Sequence, residues 1–244
     1  MTTYNILTLF PGMFESVSNL SIWARAQKSG LVEINAIDIR DYTTDKHNRA
    51  DDYPFGGGSG MVLKPEPVHA CFSDIEQSCP KPYINVYMSP GGRQLKHNLV
   101  VELAQHSCLN ILCGHYEGVD KRALDKHIDM EVSIGDFVLT GGEIAAMALI
   151  DSCIRHVEGV LGNSESVISE SFSEALIEHP QYTRPPEFEG AAVPDVLLSG
   201  HHANVQRYQR QMSILETARK RPDLLSKAIL TREDIKFITD NKPE

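Results

Sequence analysis

The sequence has no apolar run approaching the roughly 20 residues that a bilayer-crossing helix needs, so a helical membrane protein is excluded. Its start lacks the basic stretch and small-residue cleavage site of a signal peptide. Cysteine is scarce: Cys71, Cys79, Cys108, Cys113 and Cys153 form an odd set without CxxC or mixed Cys/His metal spacing. Reduced thiols in a cytoplasmic protein are therefore expected, and no metal-binding residues are assigned. Neither GxGxxG before a helix nor GxxxxGK[ST] occurs, which disfavours nucleoside triphosphate chemistry. Positive charge is in deficit, with 23 Lys and Arg against 33 Asp and Glu and a net charge of −10. That balance speaks mildly against a nucleic-acid partner. A local patch can oppose a whole-surface sum, however, and Arg207, Arg210, Arg219, Lys220 and Arg221 cluster late in the chain. A solvated helix face is the competing reading of that cluster.

What is present is an alternation of strand-like and helix-like segments over the first 160 or so residues. Strands are expected at 4–9, 31–39, 83–88, 109–113 and 128–134. Helices are expected after Pro11, over 20–28 with a stop at Gly30, and over 94–105. Further helices are expected from Asp120 to Lys126 and from Glu143 to His156, the last apolar on nearly every face and hence buried. Such alternation predicts an α/β fold with a parallel sheet, whose ligands bind beyond the carboxyl ends of the strands. Three glycine-bearing loops fall there, at 87–92, 113–118 and 134–142. Residues 41–60 form a polar, glycine-rich connection too long for an ordinary turn. The expected organisation is a domain over 1–161, a flexible linker over 162–174 and a small all-helical domain over 175–244, with helices at 202–220, 222–227 and 232–240.

Glycine lets backbone N–H and C=O groups approach a ligand closely, and Met88, Ile134, Val138 and Leu139 offer a wall for a flat ring. An adenosine-containing ligand suits that mixture. The residues then become recognisable. Leu9–Phe14, Asp51–Met61, Lys64–Pro67, Ser89-Pro90, Gly114–Asp120, Ser133–Glu143, Tyr182–Pro185 and Ser199–His202 resemble, in order along almost the whole chain, the bacterial tRNA (guanine-N1)-methyltransferase family, TrmD. The resemblance implies a deep trefoil knot in the sheet domain, S-adenosylmethionine as cofactor, magnesium dependence at an unassigned site and a homodimer with active sites at its interface. It also implies a tRNA substrate, methylated on the guanine immediately 3′ of the anticodon.

Guanine N1 is protonated at neutral pH, so methyl transfer needs a general base, a donor for the charge that spreads to O6, and in-line positioning. The guanine must also leave its stack to reach a pocket. By resemblance, Glu170 is the base and Arg155 serves O6. The cofactor residues are Tyr87, Met88, Pro90, Gly114, Tyr116, Glu117, Gly118, Ile134, Gly135, Phe137, Leu139, Gly141 and Gly142. Gly60 and Glu178 meet the guanine or its RNA, while Arg207, Arg210 and Lys220 supply charge toward tRNA. The chain departs from the family pattern in several places. Glu170 and Glu178 stand where aspartates are usual, Ser59 and Glu158 where prolines are, and Phe137 where tyrosine is frequent. His201 and His202 are expected to cap or pack the helix that follows them. Two other readings are a non-catalytic RNA-binding protein that lost its base and a flavodoxin-like nucleotide-binding enzyme.

Overall fold

The computed structural model describes residues 1–162, 171–172 and 174–241. The chain divides into two compact units, Met1–Gly162 and Asn163–Glu244. Glu170 and Ser173 lie outside the described residues, as does most of the linker read at 162–174.

The first unit is built on five parallel strands, β1 (Thr2–Thr8), β2 (Val32–Asp38), β5 (Tyr83–Gln94), β6 (Cys108–Cys113) and β7 (Met130–Ser133), in the order β2-β1-β6-β5-β7. Two-residue strands β3 (Asp51–Asp52) and β4 (Val62–Leu63) pair separately as the stem of the long connection. Alternation across β1 sends Tyr4 and Ile6 into one core and Leu7 into another, so the sheet is covered on both faces. On one face lie α1 (Gly12–Ser18), α2 (Ser21–Lys28), α4 (His97–Leu103) and α6 (Glu143–Ile154). α2 stops at Gly30, whose φ of +68° suits glycine, and Trp23 Nε1 ties it to Asp151 of α6 at 2.9 Å. α3 (Pro65–Ser78) and α5 (Lys121–His127) cover the other face.

α3 is an element the sequence reading missed. Pro65 and Pro67 look like breakers, yet they occupy the first turn, where a missing N–H costs nothing. Pro67, Val68, Cys71, Phe72 and Ile75 then bury one face at helical spacing. The thiol expectation is corrected at its far end. Cys79 and Cys108 form a disulfide, with Cα atoms 6.3 Å apart, leaving Cys71, Cys113 and Cys153 as buried thiols. Cys79 follows α3 and Cys108 opens β6, a proximity created by folding and invisible in spacing.

A row of asparagines crosses the sheet interior. Asn35 donates to Asn5 at 3.1 Å, Asn5 to Asn110 at 2.9 Å, Asn110 to Asn85 at 2.8 Å and Asn85 to the Glu76 carboxylate at 2.7 Å. Each asparagine sits opposite its neighbour in register, so the buried amides of Asn5, Asn110 and Asn85 and the half-buried Asn35 satisfy one another.

In the second unit α8 (His202–Lys220) is flanked by α7 (Asp195–Leu198), α9 (Pro222–Leu225) and α10 (Arg232–Asp240). Thr231 opens α10 with a reciprocal capping box to Asp234. The unit is not all-helical, because β8 (Glu187–Phe188) and β9 (Ala191–Ala192) form a small antiparallel hairpin. Glu189 and Gly190 both take positive φ at its turn, the backbone that a two-residue hairpin loop demands. His201 is the N-cap residue of α8 but makes no side-chain cap bond, and both His201 and His202 are exposed, so the capping or packing role expected of them is not seen.

Candidate active site

Three neighbouring strands, β6, β5 and β7, meet at one cleft of about 250 Å³, lined by a bulged segment of β5 and by the loops after β6 and β7. Tyr87, Met88 and Pro90 come from β5 itself, where the loop expected at 87–92 is instead a bulge within the strand, and Gly114, Tyr116, Glu117 and Gly118 come from the loop after β6. Ile134, Gly135, Phe137, Leu139, Gly141 and Gly142 come from the third expected loop, which follows β7. Every residue assigned to the cofactor by sequence thus lines a single cavity.

Close approach of chains explains the glycines. The third loop returns from β7 to the end of β6, where Gly142 N donates to Gly114 O at 2.8 Å. A Cβ on Gly142 would lie 2.8 Å from the Cys113 Cα, and one on Gly141 would lie 2.2 Å from a Glu143 carboxylate oxygen. In β5 the segment 89–92 leaves the ladder, so that Met88 and Arg93 both face Val132. Gly92 there presses on the Glu131–Val132 backbone, where a Cβ would be 2.4 Å away.

Beneath the third loop is a buried carboxylate that the sequence reading left out. Glu143, 2% exposed, starts α6 and accepts from Thr8 Oγ1 at 2.7 Å, while Thr8 Oγ1 accepts from Phe10 N at 2.9 Å. A carboxylate in a first helical turn also complements the helix dipole. The signal was its place directly after the glycine pair. His115, likewise unassigned, packs against Phe10 and Tyr116 with ring centroids 4.9 and 4.6 Å away, and its buried Nδ1 has no hydrogen-bond partner among the described residues. Burial, reinforced by Glu131 and Cys113, raises the Tyr87 hydroxyl above the usual tyrosine range, so it stays protonated and able to donate.

Other predicted residues fall elsewhere. Gly60, with φ of +94°, abuts the Glu117 side chain, which a Cβ would meet at 2.6 Å. Arg155 is the C-cap of α6, ten residues beyond the cleft-lining Ala145 and so about 15 Å along the helix. In the second unit the Glu178 carboxylate accepts from Gln181 at 2.5 Å. Arg210 is committed to structure, donating to Ile229 O at 2.9 Å and pairing with Asp234 at 3.2 Å and with Glu174. Lys220 and Arg219 share Glu216. Among the described residues Arg207 is exposed and has no ion pair. No cluster of three metal-ligating side chains occurs among them either, so the implied magnesium finds no evident cage.

Comparison with known proteins agrees with the resemblance. Residues 2–227 match the family model described as tRNA (guanine-1)-methyltransferase TrmD. A Clostridium acetobutylicum protein named tRNA (guanine-N(1)-)-methyltransferase is 50% identical over 238 residues, covering 98% of this chain and 97% of that protein. Proteins of the same name from Staphylococcus haemolyticus and Geotalea uraniireducens are 48% and 47% identical, each across 96% of its own length and 98% and 97% of this chain. With a match that runs through all three cleft-lining segments and both compact units, the chain belongs to the tRNA (guanine-1)-methyltransferase family, TrmD.

Proposed function

We propose that this protein transfers a methyl group from S-adenosylmethionine to N1 of the guanine immediately 3′ of the anticodon in tRNA. The observation that carries the reading is the convergence of three glycine-bearing segments on one cleft, where Gly114, Gly135, Gly141 and Gly142 each lie closer to a neighbour than a side chain allows. The cleft suits the cofactor chemically. Met88, Ile134, Val138 and Leu139 offer apolar walls for an adenine ring, and close-packed backbone offers donors and acceptors. When bound, S-adenosylmethionine supplies a methyl made electrophilic by its sulfonium. The chain's own groups do the rest. The Glu170 carboxylate takes the N1 proton, the Arg155 guanidinium donates to O6 as charge builds there, and Glu178 with the backbone near Gly60 orients the base.

A second copy of the chain completes each site. Supporting this, Arg155 lies about 15 Å along α6 from the cleft of its own chain, out of hydrogen-bond reach. Apolar Phe10, Met13 and Ile144 are also exposed on elements adjoining the cleft. The trefoil knot belongs to the same reading, supported by the bulge of 89–92 out of the β5–β7 ladder and the return of the third loop to Gly114. Location in the cytoplasm rests on the tRNA substrate alone, since the Cys79–Cys108 bond weakens the thiol argument.

The test is transfer of labelled methyl to tRNA transcripts that differ only at the guanine after the anticodon. Incorporation that requires that guanine is expected. Equal labelling of both transcripts, or none of either, would overturn the reading.

A further inference from the structure

The connection between Asp51 and Met61 carries the most exposed aromatic side chain in the first unit. Phe55 is 98% exposed and Tyr53 77%, whereas the rings of Tyr4, Phe14, Trp23 and Phe72 are buried in the two cores. Apolar rings held in water at a fixed place mark an interaction surface. The segment is held firmly at its base. β3 pairs with β4, Lys64 N donates to Ala50 O at 2.8 Å and Lys64 Nζ to Arg49 O at 2.9 Å. Its outgoing end is bonded to the cleft wall, with Glu117 N donating to Met61 O and Leu63 N to Gly118 O, both at 3.0 Å. Gly56, Gly57 and Gly58 all take positive φ while no atom lies near their missing side chains. They therefore serve backbone shape, a turn that projects Phe55 outward, rather than close packing.

We propose that Tyr53 and Phe55 form a stacking platform for unpaired bases that flank the target guanine, an inference that rests on the tRNA-methylating reading above. The occupant follows from chemistry and place. The acidic pair Asp51 and Asp52 at the root of the segment repels phosphate, so the platform meets base faces rather than the backbone. The platform is also continuous with the wall of the cleft into which the guanine must be turned. Removing one base from its stack leaves its neighbours with open π faces, and protein aromatics recover that stacking.

The experiment uses the full-length protein, S-adenosylmethionine, and an RNA hairpin with the target guanine in its loop and 2-aminopurine beside it. Stacking by wild type quenches the 2-aminopurine fluorescence. Each lost stacking contact is expected to weaken RNA affinity about 5- to 150-fold. Phe55→Ala and Tyr53→Ala should show that loss and relieve the quenching. Phe55→Trp should retain both, and Phe55→Leu, apolar but without a π face, should lose both. Cofactor affinity by calorimetry and sedimentation behaviour should stay at wild-type values. Unchanged RNA affinity, or Phe55→Leu equal to wild type, overturns the proposal. So does an equal fall in cofactor affinity, which would make the segment a cover for the cleft. A shift toward monomer also overturns it, because the rings would then face a second copy. If wild type itself neither binds S-adenosylmethionine nor methylates the hairpin, the functional reading fails, and that result is separable from the platform's failure.

Discussion

Glu170 stands where the resemblance puts an aspartate, and one extra methylene moves its carboxylate by about 1.5 Å, a distance that matters to an in-line transfer. Glu170→Ala should lower the single-turnover methyl-transfer rate about 10²–10⁴-fold. Glu170→Gln should be nearly as slow, because the amide keeps the shape but accepts no proton. Glu170→Asp keeps a base and should lie above both. A fully active Glu170→Gln would remove the residue from the chemistry. His127 gives a second test, this one of stability. Its ring stacks on Phe72 at 4.9 Å, meets His69 at 2.7 Å and faces Glu76 at 3.4 Å. One proton arrangement satisfies every contact: Lys126 donates to His69, His69 to His127, and His127 to Glu76. An extra proton on either ring breaks that chain. Burial accordingly lowers the His127 pKa below 6.5, against the opposing pull of Glu76. The sign follows from linkage: a depressed pKa makes the unfolded chain bind the proton first, so this stability is present above about pH 6.5 and is lost as pH falls below it. Denaturant unfolding at pH 7.5 and 5.5 should show the decline, and a flat profile would contradict it.

Among the elements, the third loop and α8 carry separable predictions. Gly141 faces the side chains of Glu143 and His115, at the cleft wall, whereas Gly142 faces Cys113 backbone. Gly141→Ala should therefore leave a folded protein that has lost most of its S-adenosylmethionine affinity by calorimetry, while Gly142→Ala should lower the melting temperature as well. Normal affinity in Gly141→Ala would move the cofactor away from this loop. On α8, Arg207 and Arg210 are three residues apart in sequence but differ physically. Arg207 is exposed and has no ion pair among the described residues, so Arg207→Ala should reduce the salt dependence of tRNA binding by about one unit of slope. Arg210 holds Asp234, Glu174 and the Ile229 carbonyl, so Arg210→Ala should destabilise the second unit and change tRNA binding only through that loss. An unaltered salt slope in Arg207→Ala would make this helix face merely solvated.

For the whole molecule, a site shared between two copies predicts complementation. A Gly141→Ala chain, weak in cofactor binding, mixed with a Glu170→Ala chain should recover part of the wild-type transfer rate, because one site in each heterodimer then keeps both an intact cleft and a base. No recovery in verified heterodimers would count against shared sites. How legible this molecule was in its sequence depended on the range of the interactions. Periodicity and glycine placement are local, so the five sheet strands, the long buried α6, the α8 and α10 helices and the segments lining the cleft could be read directly, and sequence motifs carried the family, although the loop expected at 87–92 is a bulge within β5. α3 escaped because its prolines look like breakers until the helix start is known. The rest is long-range. Strand order β2-β1-β6-β5-β7, the asparagine row, the Cys79–Cys108 bond, the Thr8–Glu143 bond and the unequal fates of Arg207 and Arg210 all depend on residues far apart in sequence. Sequence alone determined which segments could be strands, helices and ligand loops, since those depend on backbone sterics and apolar spacing. Tertiary structure decided which of their side chains meet, because a contact across the sheet or between helices exists only once the chain has closed upon itself.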